Sequence, residues 1–86
     1  MTDKELLPMV EAVLLKAVED AEFTRARKDI EYVRVCAQKL ENLRSRMRRS
    51  SVGPAQATRA VVEHGCVYVE WFIYDTVFQR EELKRA

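Results

Sequence analysis

The chain has 86 residues, of which 48% are hydrophobic and 34% are charged, and its formal net charge is +1. This length predicts a single domain, residues 1–86, and the composition is too apolar for a disordered chain. Only two glycines and two prolines are present. Because few positions can form turns, we expect long elements, which we interpret as helices.

The charge is distributed unevenly along the chain. Residues 1–24 carry two basic and six acidic side chains, net −4, and residues 25–49 carry nine basic and three acidic, net +6. Residues 50–86 carry four basic and five acidic side chains, net −1. The central basic segment is therefore the part of the sequence that points most clearly to a partner.

Targeting and membrane signals are not evident. Glu11 and Lys16 interrupt the only candidate for a secretion signal, so we expect a cytoplasmic protein. The most apolar window, 61–78, contains four ionisable side chains, which are too costly for a membrane span. In a reducing cytoplasm, Cys36 and Cys66 are expected to be free thiols.

The first predicted helix covers residues 8–22. Thr2 and Glu5 have the spacing of a capping box, but a proline at the sixth position of a helix would clash with the preceding turn. The helix is therefore expected to begin near Leu7, with Pro8 in its first turn, or to be kinked there. Apolar side chains then recur at helical spacing at Val10, Val13, Leu14, Ala17, Val18 and Ala21.

The second predicted helix covers residues 25–49. Its apolar seam advances in steps of three and four, and Arg44 occupies one of the seam positions. The two apolar stripes differ in phase, so we expect a break near residues 22–25, with Thr24 as the N-cap of the second helix. One long bent helix over 8–49 is the alternative. The seam consists of Phe23, Ala26, Ile30, Val33, Ala37, Leu40, Arg44 and Met47.

A loop around Gly53 precedes a third predicted helix, residues 54–84. Gly65 and the β-branched and aromatic residues of 66–74 favour a strand, but a strand would have no partner in the chain and the apolar residues do not alternate. The expected fold class is therefore all-α, a three-helix antiparallel bundle. Apolar side chains surround the third helix almost completely, which predicts a homodimer assembled around it.

This surplus of apolar surface predicts a non-catalytic protein-interaction module, a small adaptor or inhibitor. Trp71 and Tyr74 lie outside the inward stripe of the third helix and would form the centre of the binding surface. His64 and Asp75 lie on the same side of that helix as Trp71. These four residues are the predicted protein-interaction site.

The basic second helix supports an alternative function, that of a nucleic-acid-binding regulator. Cations displace counterions from phosphates, and an aromatic ring between them can stack on an unpaired base. A solvated face that complements the acidic first helix explains the same charges. The nucleic-acid-binding residues would be Arg25, Lys28, Tyr32, Lys39, Arg46 and Arg49.

The sequence offers little for catalysis. It has one histidine, no glycine-rich phosphate loop and no nucleophile elbow, so we expect no enzymatic activity, no cofactor and no metal site. Zinc needs about four ligands, and a lone histidine does not supply them. A metal- or redox-responsive sensor built on Cys36, His64 and Cys66 is a third hypothesis.

Overall fold

The computed structural model describes residues 1–48, 56–73 and 75–84, and it shows two helices followed by three strands. The elements are α1 (Asp3–Thr24), α2 (Arg27–Arg48), β1 (Gln56–Glu63), β2 (Cys66–Ile73) and β3 (Thr76–Leu83). The strands form an antiparallel sheet in the order β1-β2-β3. The fold is therefore α+β. The expected all-α bundle, with a third helix over 54–84, is wrong.

The third helix was predicted wrongly because β2 does alternate. Val67, Val69 and Trp71 are 0%, 0% and 4% exposed and point toward the helices, while the residues between them point to the other face. The outward residues include a second set of large side chains, such as Tyr68, so the alternation is hidden in the sequence. The partners of β2 are β1 and β3, which the chain itself provides.

His64 and Gly65 form the turn between β1 and β2. Both have positive φ angles, 51° and 77°, as the central residues of a tight two-residue hairpin turn require. A Cβ added to Gly65 would also clash with the carboxylate of Glu22 at the end of α1. The positive φ of the turn is therefore what requires glycine at position 65, because the end of the flexible, exposed Glu22 side chain can move away.

Helix α1 begins at Asp3, earlier than the predicted start at residue 8. Thr2 is its N-cap: the hydroxyl accepts the N–H of Glu5 at 3.2 Å and donates to the carboxylate of Glu5 at 3.1 Å. This confirms Thr2 as the cap of α1, but the carboxylate of Glu5 bonds the hydroxyl of Thr2 and not its backbone N–H, so only half of the predicted capping box is present. The helix continues through Pro8, since the cap stabilises the first turn and offsets the hydrogen bond that proline cannot donate.

The break predicted near residues 22–25 is present. Arg25 ends α1 in the left-handed conformation, with φ of 53°, and its N–H donates to the carbonyl of Ala21 at 2.8 Å. Thr24 is the last residue of α1, so its prediction as the N-cap of α2 is wrong; its hydroxyl accepts the N–H of Ala26 at 3.2 Å, between the two helices. The two helices form a hairpin, and the alternative of one long bent helix is wrong.

Both helices pack against the inner face of the sheet. The predicted seam of α2 is only partly buried: Leu40 is fully buried, whereas Ile30 and Phe23 are 46% and 91% exposed. Ile30 lines an open groove between the first half of α2 and β1, and Phe23 lies in the last turn of α1. The core consists of Leu14, Ala17, Val18, Cys36, Leu40, Val67, Val69, Trp71 and Leu83.

Candidate functional site

Trp71, the predicted centre of the protein-interaction site, lies in the core. Its side chain is 4% exposed, and the guanidinium carbon of Arg44 lies 5.4 Å from the centroid of its ring. The ring therefore packs between the sheet and the helices and is not presented to a partner.

The other predicted protein-interaction residues do not gather around Trp71. His64 lies in the turn before β2 and Asp75 lies just before β3, so an eight-residue strand, β2, separates them. That strand is roughly 26 Å long at about 3.3 Å per residue. Both side chains are exposed. Tyr74 lies outside the described residues.

The predicted nucleic-acid-binding residues are only partly brought together. Lys28, Tyr32 and Lys39 are exposed and lie on one face of α2, at steps of four and seven residues. Arg25 lies in the turn between the helices. Arg46 donates to Asp3 of α1 at 3.2 Å. Arg49 lies outside the described residues.

The structure reveals a surface that the sequence interpretation missed, on the side of the hairpin that faces away from the sheet. Four large apolar side chains there are half exposed: Met9 at 53%, Val13 at 47%, Tyr32 at 50% and Val35 at 49%. We call these four residues the hairpin strip. They come from both helices, so the strip exists only when α1 and α2 are paired.

A shallow groove of about 300 Å³ runs along the hairpin strip between the two helices. Its floor includes the buried Cys36. The sequence did carry a signal for this surface, since Val13 widens the apolar stripe of α1 beyond what one packing face needs. The groove is lined by Leu6, Met9, Val10, Val13, Tyr32, Cys36 and Lys39.

The electrostatics of the hairpin strip are positive. Lys28 and Lys39 border it on α2, and neither forms an ion pair with any residue that the structure describes. A side-chain hydrogen bond with Cys36 raises the pKa of Tyr32 above its ordinary value. The phenol is therefore uncharged at neutral pH, and the two lysines set the charge of the surface.

Arg44 occupies the polar centre of the interior. Its guanidinium donates to Glu11 of α1 at 2.7 Å and lies 3.9 Å from a carboxylate oxygen of Glu81 on β3. These contacts supply the carboxylate partner that a cation within an apolar seam requires. Because they join three elements around Trp71, we assign this cluster a structural role.

The outer face of the sheet carries a second charged cluster. Glu70, 8% exposed, accepts from Arg59 at 2.7 Å and lies 3.6 Å from Arg80. The two guanidinium groups cover aromatic rings: Arg80 lies 3.9 Å from the Tyr68 centroid and Arg59 lies 5.5 Å from that of Phe72. The rings are thus occupied by side chains of the same chain.

The residues of the sensor hypothesis lie apart. Cys36 is buried in the helical layer and Cys66 lies at the start of β2, and both are free thiols. Within the described ranges there is no group of three or more histidine, cysteine, aspartate or glutamate side chains that could hold a metal ion. None of the helices in those ranges is long and apolar enough to cross a bilayer.

Comparison of the chain with protein families, with curated proteins and with solved structures finds no match in any of the three.

Proposed function

We propose that this chain is a non-catalytic protein-binding module that holds an amphipathic helix on the hairpin strip. The observation that carries the proposal is the group of four half-exposed apolar side chains on the outer side of the hairpin. A monomeric protein rarely leaves so many large apolar side chains together in water, and such patches commonly bind a partner.

The shape of the surface favours a helix as the bound element. Two antiparallel helices leave a straight groove between them, and the apolar face of a third helix fills such a groove with side chains spaced three and four residues apart. The groove lining is almost entirely apolar, with Lys39 at its edge. Apolar contact therefore supplies most of the affinity.

The charges favour a helix with acidic flanks. Lys28 and Lys39 lie beside the hairpin strip without ion pairs among the described residues. Glutamate or aspartate beside the apolar face of the partner would complement them and set its orientation. This combination of an apolar centre with cationic borders fits a protein better than a nucleic acid, since Arg46 is already paired with Asp3.

The test is a selection of helical peptides from a displayed library against the full chain. We expect enrichment of peptides with apolar residues at helical spacing and acidic flanks, measured afterwards by fluorescence anisotropy. Tyr32→Asp should weaken binding at least about 10-fold, because Tyr32 lines the apolar groove and the variant places a charge there. Ile30→Asp is the matched control: it is equally exposed on the same helix but lies away from the strip, so binding should persist.

The same assay examines the nucleic-acid alternative with random single- and double-stranded oligonucleotides. We expect no binding at about 0.15 M salt. Oligonucleotide binding that is lost in a Lys28→Ser, Lys39→Ser double variant, together with the absence of peptide enrichment, would replace the protein-binding proposal with the nucleic-acid function.

A further inference from the structure

The rest of the fold covers one edge of the sheet and leaves the other edge open. Helix α2 lies along β1, and the carboxylate of Glu41 accepts the backbone N–H of Ala60 at 2.8 Å. Seven of the eight residues of β3 are exposed, and no described element pairs with its outer edge. An open edge presents unpaired N–H and C=O groups to another strand.

The bond to Glu41 also fixes which backbone groups of β3 point outward. Backbone groups alternate in direction along an antiparallel strand, and the N–H of Ala60 points away from β2. Val69, opposite Ala60, must therefore direct its backbone groups to Glu81 on β3. It follows that Arg80 and Glu82, on either side of Glu81, direct their backbone N–H and C=O groups to the open edge.

We propose that the occupant of this edge is a second copy of the chain, paired antiparallel through β3 about a two-fold axis at Glu81. Outward-pointing residues must pair with each other across such an axis. An axis at Arg80 would oppose two arginines, and an axis at Glu82 would oppose two glutamates, both unfavourable. The axis at Glu81 instead places Arg80 of each copy opposite Glu82 of the other, which forms two pairs of opposite charge. Among these three registers, the charge pattern of the edge favours the axis at Glu81.

The surface beside the edge supports the same arrangement. A groove of about 330 Å³ lies between α1 and the end of β3, and its apolar part is formed by Pro8, Ala12 and Leu15. A two-fold axis perpendicular to the sheet, between the two β3 strands, would bring the two copies of α1 together on one face of the new six-stranded sheet. The apolar groove of each copy would then be covered by the helix of the other.

One contact at the axis opposes pairing. Glu81 meets Glu81 of the second copy on the inner face of the sheet. Among the described residues of each copy, Arg44, 3.9 Å from the carboxylate of Glu81, is the cation that offsets the repulsion. Glu81→Gln should therefore tighten the dimer about 2- to 5-fold, since opposed like charges cost a few tenths to about 1 kcal/mol.

The test uses the full chain in sedimentation velocity over a concentration series up to about 1 mM. We expect a concentration-dependent dimer for the unmodified chain. Glu82→Lys and Arg80→Glu should each weaken the dimer at least about 10-fold, because two pairs of like charges would face each other across the dimer of either variant. An equimolar mixture of the two variants should dimerise again, since both pairs become complementary.

The controls separate pairing from folding. Arg80 also binds Glu63 at 2.7 Å, so circular dichroism must show that its variant is folded, whereas Glu82 has no ion pair with a described residue. Glu31→Lys makes the same change of charge on α2 and should leave the dimer intact. A chain that remains monomeric at about 1 mM, or a Glu82→Lys variant that dimerises like the unmodified chain, overturns the proposal.

Discussion

The carboxylate of Glu41 on α2 accepts the backbone N–H of Ala60 on β1 at 2.8 Å, which fastens the edge of the sheet to the helical hairpin. Glu41→Ala would leave this part-buried amide without its partner. We expect a loss of about 1–3 kcal/mol in the free energy of unfolding, measured by urea denaturation. Glu41→Gln keeps an oxygen acceptor and should lose less free energy of unfolding than Glu41→Ala. Equal losses of stability in the two variants would contradict the role of the hydrogen bond.

Arg44 is expected to be the charged side chain on which stability depends most. Arg44→Ala leaves Glu11 without its partner and removes the cover of Trp71, so we expect a loss of about 2–4 kcal/mol in denaturant titrations. Arg27→Ala is the control, because its ion pair with Glu31 is exposed and should contribute less than about 1 kcal/mol. Similar losses in the two variants would refute the structural role of Arg44.

Gly65 distinguishes the observed hairpin from the helix that the sequence predicts. In a helix over 54–84, Gly65→Ala would stabilise the chain by about 1 kcal/mol. In the turn, where φ is 77°, alanine is strained and meets the Glu22 carboxylate, so we expect a loss of about 1–2 kcal/mol. The sign of the change in thermal midpoint therefore identifies the structure.

Tyr68 is expected to make stability depend on pH in the alkaline range. Partial burial of the ring and the neighbouring Cys66 raise the pKa of the phenol above its ordinary value of 10.0. A raised pKa in the folded chain gives stability that is complete below about pH 10 and is lost as the pH rises through the folded pKa. The thermal midpoint should therefore fall less steeply above about pH 10 in Tyr68→Phe than in the unmodified chain. Parallel curves would show that Tyr68 does not contribute.

Local chemistry made part of this structure predictable. The cap at Thr2 and the break before α2 both follow from interactions within a few residues. Each is present in the structure. The hydrophobic periodicity also identified the buried positions of α1, including Leu14 and Val18.

The second half of the chain was decided by tertiary contacts. Val67, Val69 and Trp71 form an alternating inner face only because β1 and β3, the strands just before and just after β2 in the chain, supply its hydrogen-bonding partners. Their outward neighbours are also large, so hydrophobicity by itself fits a helix that is apolar on all sides. Gly65 and the β-branched and aromatic residues of 66–74 were the local signal for strands, but it is the pairing of the three strands that distinguishes the two structures.

Tertiary structure likewise decided which apolar residues are accessible. In the sequence, Trp71 and Val35 cannot be distinguished by pattern, because both are large apolar side chains outside the main apolar stripes of their predicted helices. Packing of the hairpin on the sheet buries Trp71 and leaves Val35 half exposed. Exposure depends on which faces the neighbouring elements cover, and this is a property of the assembled fold. The sequence alone determined which side chains are available to bind and what charges they carry.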